Sequence, residues 1–116
     1  MRAIGAFAEL EKTGVGARTK VLRVADPTYA FDGTRCHVNF EPVAGAKSYD
    51  VWVSPYADGR GAIQLGKGWK ESGQLLQGLR PDIEFHLFVL YTDQEGKLSK
   101  PSAPLAFKLK DRFGYK

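Results

Sequence analysis

The 116 residues predict an all-β domain, a seven-stranded antiparallel β-sandwich, on three observations. From Thr19 onward, short runs rich in apolar and β-branched residues recur, at about 20–25, 34–40, 48–54, 62–66, 73–78, 84–92 and 105–110. Turn-forming clusters separate them: Asp32-Gly33, Pro42 to Ala46, Ala57 to Gly61, Asp93 to Gly96 and Pro101 to Pro104. No segment carries a helical period of useful length. Many short strands with this punctuation are satisfied by two antiparallel sheets packed face to face.

The elements follow in chain order. Residues 1–19 include GAFAELEKTGVGARTK, which has no sustained period and reads as a linker or the tail of a preceding domain. In the second strand, alternation puts Cys36, Val38 and Phe40 inward and His37 and Asn39 outward. In the third, Tyr49, Val51 and Val53 face in, while Asp50, Trp52 and Ser54 face out. The sixth strand, EFHLFVLYTD, alternates only at first and then becomes apolar on both faces. Phe85, Leu87, Val89 and Tyr91 form its inner set, so His86, Phe88 and Leu90 are forced outward. On the last strand Leu105, Phe107 and Leu109 face in. The domain is expected to span 20–111, with a C-terminal tail over 112–116.

Composition excludes several classes. Apolar residues are 43% and aromatics 12% of the chain, enough for one core and too many for a disordered tail. No run reaches the roughly 18 apolar residues of a membrane helix, so no membrane insertion is expected. The opening MRAIGAFAEL is too short and too weakly apolar for a signal peptide, and Met1 reads as a start placed on a fragment of a longer protein. The single cysteine, Cys36, excludes an internal disulfide and a cysteine-built zinc site. Net charge is +4, but the basic residues are scattered, apart from mild clusters at Arg18 to Arg23 and Lys108 to Lys116. Nucleic-acid binding needs a concentrated stripe, so it is not expected.

Three motifs then carry a family pattern. The stretch VNFEPVAGAKSYDVWV, Val38 to Val53, places an aromatic and a proline before a short turn and a Tyr-x-Val-x-Val strand. LRPDIEF, Leu79 to Phe85, resembles the Leu-x-Pro-x-x-x-Tyr entry to a sixth strand. TDQEGKLSKPSAP, Thr92 to Pro104, resembles a hairpin followed by a proline-rich approach to the last strand. In this order, from about Val21 to Asp111, the chain resembles a fibronectin type III domain. The resemblance implies an immunoglobulin-like sandwich. It also implies a spacing, domain-packing or protein-contact role in a larger multidomain protein, extracellular or at the cell surface and often beside carbohydrate-active enzymes. Two residues depart from the pattern. Phe40 stands where the family usually has tryptophan, and Phe85 where it has the corner tyrosine, so a hydroxyl worth about 1 kcal/mol is missing.

Within that fold the candidate chemistry is sparse. His37 and His86 fall on strands of different sheets, so they are expected on opposite outer faces without a shared metal. Asp50, Asp58, Asp82, Glu84 and Asp93 are dispersed, with no calcium-loop spacing and no cleft for a carboxylate pair. The glycine runs at Gly14 to Lys20 and Gly66 to Lys70 lack Walker spacing and a following helix. Asp58 to Gly61, DGRG, has the wrong order for an Arg-Gly-Asp motif. Cys36 reads as a small buried hydrophobe. No catalytic residue, metal or cofactor is expected.

The outward aromatics are the candidate site. In a fibronectin-type sandwich the third and sixth strands are neighbours, so Trp52, Phe88 and Leu90 share one outer face. Trp69 and Tyr56 are expected to extend it. Such a patch suits docking against a neighbouring domain or against residues 1–20 folded back. That docking is the leading reading; behind it come a second copy or another protein, and then carbohydrate stacked on the rings of Trp52, Trp69 and Tyr56.

Overall fold

A computed structural model describes residues 3–30, 33–80 and 83–109 of the chain. Asp82 and the C-terminal tail at 112–116 lie outside the described residues. One helix, α1 (Ala3–Thr13), precedes seven strands: β1 (Val21–Ala30), β2 (Gly33–Phe40), β3 (Ala46–Ser54), β4 (Ile63–Trp69), β5 (Gln74–Leu79), β6 (Glu84–Asp93) and β7 (Leu105–Lys108). The strands form a three-stranded sheet in the order β1-β2-β5 and a four-stranded sheet in the order β4-β3-β6-β7. All the strand pairs are antiparallel.

Period-two alternation decides which residues meet between the sheets. Cys36, Val38, Phe40, Leu76 and Leu79 enter from the three-stranded sheet; Tyr49, Val51, Val53, Leu87, Val89 and Tyr91 enter from the other. Leu109, just past β7, closes the same cluster. Phe40 packs on Tyr49 with ring centroids 4.5 Å apart and the planes tilted by 49°. Phe85 is half-buried and lies 6.1 Å from Phe107. A different tyrosine ties side chain to backbone: the Val43 N–H donates to the Tyr49 hydroxyl at 2.8 Å.

β7 is short, pairing only with Glu84 to Leu87 of β6. Beyond it two buried serines take the place of a strand. Ser102 donates its N–H to the Val89 carbonyl at 3.0 Å and accepts the Val89 N–H on Oγ at 2.9 Å. Ser99 does the same for Tyr91, at 2.8 and 2.9 Å. The proline-rich approach therefore satisfies the backbone of β6 without a ladder, which its prolines at 101 and 104 would interrupt.

Helix α1 corrects the expectation of a linker over 1–19. Among its described side chains, Phe7 and Leu10, three positions apart, form an apolar stripe against the sheet. The chain after the helix is also held. The Val15 N–H donates to the Leu98 carbonyl at 3.0 Å, and Val15 bridges Ser99. The Tyr91 hydroxyl donates to the Val15 carbonyl at 3.3 Å. Gly16 sits at φ +69° directly over that hydroxyl, where a Cβ would collide with it. Arg18 forks onto Glu11, with Nη2 2.5 Å from Oε1 and Nη1 2.8 Å from Oε2. Its Nη1 also donates to the Pro101 carbonyl at 2.8 Å.

Candidate interaction face and the helix that covers it

β3 and β6 pair in register, with Trp52 opposite Phe88 and Asp50 opposite Leu90. Directly opposed residues project from the same face, so Trp52, Phe88 and Leu90 share the outer side of the four-stranded sheet. The expected grouping is therefore present for these three. Their expected exposure is not: Phe88 is 4% and Leu90 2% exposed. Together with Phe7 and Ala62 they form a second apolar cluster, distinct from the core between the sheets, with Leu10 and Trp52 packed against it.

Phe7 is the keystone of this cluster. Its ring lies 5.0 Å from Phe88, tilted by 54°, and 6.0 Å from Trp52 in an edge-to-face arrangement at 77°. A Cβ on Gly59 would meet the same ring, so the β3–β4 loop reaches Phe7 only because residue 59 is glycine, at φ +84°. The sheet face is flat and apolar, and a helix carrying one large ring is enough to dry it.

Trp69 does not join the patch. Two register irregularities between β3 and β4 place Trp69 opposite Tyr49, an inward residue, and so turn its side chain toward the inner core. The indole packs over Gly66, where a Cβ would clash with it, and against the main core cluster. Gly68, at φ +67°, makes the bulge, and its N–H is held by Asp50 Oδ1 at 2.9 Å. Trp69 is expected after the fourth strand, extending the patch; the strand instead runs on through a bulge to Trp69 and turns it inward. Tyr56 does stand on the surface, 49% exposed, but outside the cluster. The Arg60 guanidinium lies 4.1 Å from its ring centroid, and Asp58 pairs with Arg60 at 3.1 Å. Ser54, expected outward, is fully buried: its Oγ donates to the Arg60 carbonyl at 2.6 Å and accepts the Tyr56 N–H at 2.9 Å, shaping this loop.

The remaining titratable groups form no site. His37 and His86 lie on different sheets. Each is half-buried with Nδ1 enclosed and unpaired among the described residues. No group of three or more His, Cys, Asp or Glu suited to a metal occurs among the described residues. Cys36 is fully buried, and burial pushes its thiol up to about 11 from the ordinary 9.0. The thiol is therefore neutral and poorly reactive near neutral pH. The hydrogen bond from Arg18, reinforced by its charge, holds the Glu11 carboxyl below its usual range.

Between α1, the β3–β4 loop and the Pro101–Pro104 segment runs a groove of about 300 Å³, lined by Phe7, Glu11, Arg18, Phe88, Pro101 and Pro104 among others. Its charged residues are already paired within the chain. The comparisons place this architecture among known folds. A crystal structure of an Fn3-like protein from Clostridium thermocellum superposes with a TM-score of 0.62 at 14% identity, covering 83% of this chain and 97% of that one. The solution structure of a human fibronectin type III domain gives 0.64 at 16%, covering 94% of this chain and 81% of that one. The fold is fibronectin type III-like. No family model matches the sequence, and no curated protein does. The aromatic face of this chain lies on the outside of the four-stranded sheet of that fold.

Proposed function

We propose that this chain is a non-catalytic fibronectin type III-like module that acts as a spacer and packing unit within a larger secreted or surface protein. The observation that supports it most is the fate of the aromatic face. Trp52, Phe88 and Leu90 are engaged by the chain's own Phe7 and Leu10, so the face works as an internal seam. The runner-up, carbohydrate stacking, needs a platform of open rings. Of its three candidates only Tyr56 is exposed, and Arg60 already lies against that ring. Contact with neighbouring domains is then left to the polar rim and to scattered aliphatics such as Ile63, 59% exposed, and Leu75, 45% exposed.

Titration of the full chain with a broad panel of soluble polysaccharides, read by tryptophan fluorescence and calorimetry, tests this reading. The expected result is no saturable response. A saturable shift in the fluorescence of Trp52 or Trp69, lost in Tyr56→Ala, would replace the spacer reading with the carbohydrate one.

A further inference from the structure

The seam between α1 and the sheet is built differently from the core, and we infer that α1 is a hinged strap that opens as a unit from a sandwich that stays folded. Four observations carry this. The cluster under the helix shares no residue with the core between the sheets, so it can be lost without opening that core. The helix has 11 residues, below the roughly 12–15 at which isolated helices become even marginally stable, so it is helical by virtue of its docking. One flank of the docked helix faces the groove of about 300 Å³ instead of protein, and among the described side chains of the helix Phe7 and Leu10 join the cluster beneath it. The hinge and its post are visible. Gly14 fits where any side chain would strike the backbone of Leu10, Ser99 and Lys100, and the next residue, Val15, is pinned to Leu98 and Ser99.

The parts then have distinct roles. Val15 and Gly16 are the fixed post, tied to the β6–β7 connection and to Tyr91. Phe7 is the latch, held among Trp52, Phe88 and Gly59. The fork from Arg18 to Glu11 is an exposed clasp across the hinge. Closed, the strap keeps the aromatic face dry. Open, it presents Trp52, Phe88, Leu90 and Ala62 while the post returns the helix to the same place.

Native-state amide hydrogen exchange on the full chain tests this directly. In the parent, amides of α1 should exchange at least about tenfold faster than those of β3 and β6, as expected of a separate opening unit. Val51→Ala, in the core between the sheets, should accelerate β3 and β6 and leave α1 within a fewfold of the parent, whereas Phe7→Ala should accelerate α1 exchange about a hundredfold, the equivalent of roughly 3 kcal/mol. The same variant should bind an apolar dye that the parent does not. Glu11→Gln, which cannot unfold the domain, should accelerate α1 by about two- to fivefold, the range of an exposed ion pair. The inference is overturned if α1 exchanges only together with the strands in the parent, if Val51→Ala accelerates α1 as much as β3 and β6, or if Glu11→Gln leaves α1 exchange unchanged.

Discussion

Phe88→Ala separates an open aromatic face from a covered one. Phe88 lies on the outer side of the four-stranded sheet, yet it is 4% exposed and 5.0 Å from Phe7. A phenylalanine truncated in a closed core costs about 3–5 kcal/mol, from lost transfer energy plus the cavity left behind. Here the groove of about 300 Å³ touches the same ring, so water can enter the vacated space and part of the cavity term is relieved. The expected loss is therefore about 2–3 kcal/mol. An exposed ring on a bare sheet face would lose no more than about 0.5 kcal/mol. Urea unfolding, followed by circular dichroism and by tryptophan fluorescence, gives the midpoint and slope for parent and variant. Because Phe7 and Phe88 act as one contact, Phe7→Ala and the double variant complete a cycle. Its coupling is expected at about 1–2 kcal/mol, since the second truncation removes a partner already gone. A loss within about 0.5 kcal/mol for Phe88→Ala, or strict additivity in the cycle, would refute the covering role of α1.

Three further outcomes follow from other parts of the fold. Gly16→Ala puts a Cβ onto the Tyr91 hydroxyl at φ +69°, and should lower stability by about 1–3 kcal/mol, seen as a reduced melting temperature; an unchanged melting temperature would contradict the packed turn. Ser102→Ala leaves the buried Val89 N–H without its acceptor and should cost about 1–3 kcal/mol in the same assay, where no loss would mean that water replaces the hydroxyl. Cys36 ionises at about 11 in the fold against 9.0 ordinarily, so the unfolded chain releases its proton first as pH rises. Its contribution, up to about 3 kcal/mol, is present in full below pH 9 and lost as pH climbs toward 11; Cys36→Val should flatten that loss, and identical pH profiles for parent and variant would exclude the burial effect.

The sandwich was legible because its signals are local and redundant. Turn clusters and period-two runs locate the strands, and the buried sets Cys36-Val38-Phe40 and Tyr49-Val51-Val53 follow from alternation alone. The outward direction of Trp52, Phe88 and Leu90 was legible for the same reason. The helix was not, because an element of 11 residues spans only about three turns, too few repeats to show a period. Trp69 was misplaced for a different reason. A bulge adds a residue to one strand, and only the pairing with β3 reveals which face the following side chains take.

By itself, then, the sequence determined two sheets, their inner faces and a surplus of apolar side chains on the outside of β6. Strand periodicity requires no more than nearest neighbours. What covers that surplus was decided only by tertiary structure, because α1 and β6 are separated by most of the chain and meet through side chains such as Phe7. Nothing local distinguishes an apolar residue that awaits a partner from one whose partner lies some eighty residues away in the same chain, as Phe88 and Phe7 do.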